Sequence, residues 1–129
     1  MRIRTAIAEA EDACAAREEL AARLGLAGSA PPDFVAVHHA APLGAEAVCA
    51  ALGPALGARA LHGGTSCLGA MSESGVAIAS GRGIGAFAIW DPAGDYASAA
   101  RPLGETPRAA AREAARAALA AAGRDGESP

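Results

Sequence analysis

Aromatic residues are scarce in this chain: two Phe, one Trp and one Tyr among 129 residues. The core must therefore be assembled from Ala, Val, Leu and Ile, whose contacts each remove little apolar area from water. Lysine is absent, because all eleven basic residues are Arg. Basic excess is absent too. The net charge is −3 and the pI about 5.5, which leaves no electrostatic footprint for nucleic acid. No run approaches the roughly 18 consecutive apolar residues of a membrane span. The basic start "MRIRTAIAEAED" meets carboxylates at Glu9 and Glu11, so no signal peptide is expected there. Three cysteines, Cys14, Cys49 and Cys67, are odd in number and lack paired spacing, the pattern of free thiols in a cytoplasmic protein. No cofactor motif is present.

What remains is a chain that is 52% hydrophobic, with sixteen glycines and eight prolines as punctuation. Its length suits one domain that buries about 70% of the surface its unfolded form exposes. Residues 2–8 alternate as a strand, and 11–24 read as a helix that Gly25 ends. The apolar run 34–39, bounded by Pro32 and Pro42, suits a buried strand. Val48 and Leu52, extended by Leu43 and Leu56, mark a second helix over 44–52. A third strand over 58–62 follows, and this β-α-β-α-β order predicts a parallel sheet. Beyond it, 76–80, 86–90 and 96–100 read as an antiparallel meander, with "GRGIG" (81–85) as a hairpin turn. The last helix has Thr106 as N-cap, Pro107 at N1 and Gly123 at its end. The expected fold class is α/β, with a mixed sheet and a C-terminal helix.

That last helix raises a question of organisation. "AAREAARAAL" (110–119) matches "AAREELAARL" (15–24) at six of ten positions. After the first copy comes a strand, whereas after the second the chain stops. Residues 1–129 thus read as one domain and as the first half of a two-repeat architecture, with a docked closing helix as the alternative.

The chemistry-bearing residues concentrate in "HGGTSCLGAM" (62–71) and in His38-His39, at the carboxyl ends of predicted parallel strands. Ligands of α/β sheets sit at such ends. Side chains alternate along a strand, so at most one of His38 and His39 enters a shared site. Four readings compete. In the first, Gly63, Gly64, Thr65 and Ser66 cradle an anion on loop amides. In the second, Cys67 is a nucleophile with His62, His38 or His39 as base. The third is a His/Cys metal site, which no zinc-like spacing supports. The fourth is a plain glycine turn holding an inert cysteine. The cradle and the plain turn rank first and metal last. Cys14 and Cys49 read as small core residues. Trp90, Asp91, Asp95 and Tyr96 line a rim or hold a turn, and Arg101 meets solvent or an anionic ligand.

The order of elements, with Pro32-Asp33-Phe34-Val35, Gly63-Gly64-Thr65-Ser66, Gly69 and "SGVAIAS", resembles the N-terminal part of FIST domains, intracellular sensory modules of signalling proteins in bacteria and eukaryotes. The resemblance implies a cytoplasmic domain that binds a small ligand, such as an amino acid or other small carboxylate. It points to Gly63, Gly64, Thr65, Ser66 and Gly69 as the ligand loop. To these the strand ends add Cys67, His38, His39 and His62. It also implies a C-terminal companion domain. The alternatives are an enzyme built on Cys67, and an interaction subunit completed by a partner chain or a second copy.

Overall fold

The computed structural model of the chain describes residues 1–67, 69–77 and 81–126. Strand β1 (Arg2–Glu9) leads to helix α1 (Ala13–Leu24), whose start is set by chemistry local to it. The Asp12 carboxylate accepts from the N–H groups of Cys14 and Ala15, both at 2.9 Å, satisfying two orphan donors of the first turn. Gly25 ends the helix in the left-handed region, at φ 67°. Ala13, Ala16, Leu20 and Leu24 form its buried face. Next come β2 (Phe34–Ala40), a short 3₁₀ turn (Ala41–Leu43) and α2 (Ala45–Leu56), which buries Val48, Leu52 and Leu56 at i, i+4 spacing. Helix α2 continues past the expected end at Leu52, through Gly53 and Pro54. Strand β3 (Ala60–Ser66), a hairpin of β4 (Ala70–Ser72) and β5 (Gly75–Ala77), β6 (Gly83–Trp90) and α3 (Pro107–Ala121) complete the described elements.

The fold is α/β with a mixed sheet, ordered β1-β6-β2-β3. Strands β2 and β3 pair in parallel, in register from Phe34–Ala60 to Ala40–Ser66. Strand β6 pairs antiparallel with both β1 and β2. The first strand is therefore not the direct neighbour of the second. A strand from late in the chain is inserted between them. Alternation assigns the two faces. Ala6, Ala8, Val35, Val37, Ile84, Ala86, Ala88 and Trp90 join the leucines of α1 and α2 in one core. The other face carries Ile3, Thr5, Phe34, Ala36, His38, His62, Phe87 and Ile89. The β4–β5 hairpin and the segment around Tyr96 cover part of it.

Several expectations change. Residues 63–66 belong to β3 rather than to a loop, and the turn falls later, with Gly69 at φ 134°. The meander does not form as expected: 76–77 belong to the short β5, and 78–80 lie outside the described residues. Gly83–Gly85 open β6, and 96–100 form no strand. Thr106 precedes α3 but makes no side-chain cap bond. Cys14 and Cys49 are exposed rather than core residues, because each lies outside the set of positions that its helix buries.

Glycines on β6 seat the hairpin. A Cβ at Gly83 would fall on the Ala77 carbonyl oxygen, and one at Gly85 would lie 2.7 Å from the Ala70 Cβ. The Thr5 hydroxyl donates to Glu73 at 2.5 Å, fixing the hairpin tip to β1. By contrast, a Cβ at Gly64 meets nothing within 4 Å. Gly83→Ala is expected to lower stability by about 1–3 kcal/mol through overpacking. Gly64→Ala should be neutral or stabilising by up to ~1 kcal/mol. Urea unfolding followed by the fluorescence of the one Trp checks both, and equal midpoints for the two variants would contradict the hairpin seat.

Candidate functional site

The parallel register of β2 and β3 brings most of the predicted residues to one end of the sheet, with His38 opposite Gly64 and His39 opposite Thr65. The pleat then divides them. His39, Gly63 and Thr65 belong to the face under α2, whereas His38, Gly64, Ser66 and His62 belong to the other. The strand conformation also changes what the glycines can do. Successive N–H groups of an extended strand point to opposite edges, so Gly63-Gly64-Thr65-Ser66 does not close around an anion as a nest would. Gly63 is required for another reason: a Cβ there would lie 2.8 Å from the Val37 carbonyl oxygen.

Under α2 the sheet end opens a cleft of about 160 Å³. One wall is helical, formed by Ala45, Val48, Cys49 and Leu52 at i, i+3, i+4 and i+7. The floor is Val37 and His39 of β2, and the far wall is Leu61–Gly64 of β3. His39 is only 3% exposed. Its Nδ1 lies 3.0 Å from the Ala40 carbonyl oxygen. A carbonyl only accepts, so Nδ1 carries a proton and, in the neutral ring, Nε2 offers a lone pair. Among the described residues no side-chain nitrogen or oxygen is fully buried without a partner. Among the described residues Nε2 has no hydrogen-bond partner, so it keeps some accessible surface, and His39 lines the cleft.

His38 and Gly69 line a second hollow, of about 290 Å³, between the opposite sheet face and β4, with Thr5, Ala36, Met71 and Phe87. Of the remaining predicted residues, His62 borders the first cleft, whereas Thr65, Ser66 and Cys67 line neither hollow. Thr65 is exposed, and the Ser66 hydroxyl donates to the Gly69 carbonyl at 2.5 Å, closing the turn after β3. Cys67 is exposed, and none of the hydrogen bonds of His39 and His62 reaches it. Nδ1 of His62 instead meets the Ser98 hydroxyl at 3.1 Å. Among the described residues, no group of three His, Cys, Asp or Glu side chains could hold a metal ion.

Sequence reasoning missed the helical side of the cleft. The sequence presents Cys49 as a small core residue and Val48 as part of the helical stripe, although the four-residue offsets from Ala45 to Cys49 and from Val48 to Leu52 place all four along the side of α2 that borders the cleft. The residues near Trp90 form a turn. Trp90 Nε1 donates to the Ala30 carbonyl, the Asp91 N–H donates to Asp33, and Tyr96 donates to Asp91 at 3.0 Å. Arg101 donates to the carbonyl of its neighbour Ala100 and is exposed.

No protein-family model, curated protein or solved structure matches this chain. No helix among the described residues is long and apolar enough to cross a membrane.

Tyr96 packs on Phe34, with ring centroids 5.9 Å apart. Burial raises its phenol above the usual value near 10, and the hydrogen bond and charge of Asp91, with the charge of Asp33, push the same way. A raised value means that the folded state holds the proton longer than the unfolded chain does. The stabilisation is present below pH ~10 and is lost as pH rises through the folded value. Tyr96 is the single tyrosine, so ultraviolet titration reads it directly. Asp91→Asn should bring its ionisation part of the way back to ordinary pH. An unchanged curve would show that Asp91 does not hold the phenol.

Proposed function

We propose that this chain is a small-molecule-binding domain of the sensory kind, with its ligand seated in the cleft between α2 and the carboxyl ends of β2 and β3. The observation that carries this reading is His39, buried beside an apolar cleft with one ring nitrogen left without a hydrogen-bond partner among the described residues. Buried polar atoms are ordinarily satisfied, and one that opens into a cavity is suited to a ligand. The volume supports a ligand of amino-acid size, since an apolar cavity of roughly 150 Å³ accepts a benzene ring. The position, outside the carboxyl ends of parallel strands, is where α/β sheets place ligands. The FIST-like order of elements is in keeping with a sensory role and with a companion domain that carries the response.

Ligand occupancy raises the melting temperature by mass action. A metabolite screen by thermal shift should therefore return compounds whose effect disappears in Val48→Trp, which fills the cleft, while that variant keeps a cooperative melt. Hits that act equally on Val48→Trp would move the site elsewhere.

A second reading, an interaction subunit completed by a second copy, is favoured by α3, which buries none of its residues completely. The Ala-rich face of this helix and the exposed Ile3 and Phe87 supply the apolar surface such a contact uses. Sedimentation equilibrium should then give a dimer that dissociates on dilution, and a monomer at every concentration removes this reading.

A further inference from the structure

Resting on the proposed cleft, we infer that its ligand is a compact apolar molecule presenting a hydrogen-bond donor, of the phenol or small-alcohol class, rather than a carboxylate. The polarity of His39 leads to this. Its Nδ1–H is committed to the Ala40 carbonyl, so in the neutral ring the nitrogen left open accepts. A ligand must bring the hydrogen. An ionised carboxylate has none and would set its lone pairs against that of Nε2. Nor does the cleft offer a fixed countercharge: among the described residues no Arg lines it, and its second imidazole, His62, already meets the Ser98 hydroxyl through Nδ1. The walls are Val37, Ala45, Val48, Leu52 and Leu61, which accept an apolar body and give a desolvated anion nothing in exchange. The N-terminus of α2 lies at one end of the cleft, but Glu46 already places a carboxylate in that first turn.

Cys49 supplies a reporter because it lines the cleft and its thiol is free and exposed. Iodoacetamide alkylation is followed peptide by peptide, with Cys14 and Cys67 as references outside the cleft. The probes are phenol, toluene and benzoate, which share a ring and differ in the group presented. Phenol should slow alkylation of Cys49 alone and bind about two- to tenfold more tightly than toluene, the worth of one neutral hydrogen bond. Benzoate should be the weakest. His39→Phe keeps a ring and removes the acceptor, so the advantage of phenol over toluene should vanish. The order of the three probes on the unaltered protein tests the same point without relying on that variant folding. Benzoate matching or exceeding phenol overturns the donor-ligand inference and leaves the cleft as a binding site. So does a phenol advantage that survives in a folded His39→Phe. Failure of all three probes to protect Cys49 overturns the cleft reading itself.

Discussion

Strand β6 is the constraint on which the remaining structure depends. It pairs antiparallel with β1 along its full length and with β2 along most of it, so it joins the first β-α unit to the parallel β2–β3 pair. Removing it would leave β1 without a partner in the four-stranded sheet. Its two faces meet opposite demands. Toward the helices it presents Ile84, Ala86, Ala88 and Trp90, all buried, with alanines at the middle of the strand, on the face that meets α1. Away from them it presents Gly83 and Gly85, where any side chain would collide with the hairpin. The scarcity of aromatics follows from this geometry. A core whose central strand is lined with alanine has room for leucine from the helices and little room for rings.

The local elements were largely legible in the sequence, and their pairing was not. Asp12 and Gly25 marked the ends of α1 because capping is chemistry within a few residues. The α2 stripe was visible for the same reason, through four-residue spacing. Residues 86–90 were recognisable as strand, but their neighbours were assigned by turn chemistry to 76–80 and 96–100. The strand pairs instead with residues more than forty positions away, and no local signal encodes that choice. Residues 96–100 form no strand. Tyr96 stacks on Phe34 and Ser98 meets His62, so the segment crosses the open sheet face without a ladder.

The glycine-rich stretch shows how composition misleads about conformation. Gly63 and Gly64 suggested a loop because glycine is the residue of tight turns. Here Gly63 admits close approach of the Val37 carbonyl between paired strands, while the left-handed turn residue is Gly69. The alternation of His38 and His39 was readable, since adjacent strand residues must face opposite ways. Which of the two lies under α2 depends on the register with β6 and β3, and that lies beyond local sequence.

The same register decides the chemistry of the cleft. Shifting β2 by one residue would exchange the two histidines, placing His39 on the open face and His38 beneath α2. Val35 and Val37 prevent this, because the slip would expose both to solvent and remove them from the leucines of α1 and α2. An apolar packing requirement three strands wide thus determines which imidazole is buried. The neighbouring Ala40 carbonyl then determines which of its nitrogens remains open. The polarity of the open ring nitrogen is a consequence of strand register, and not of the hydroxyls, thiol and glycines that make the adjacent sequence conspicuous.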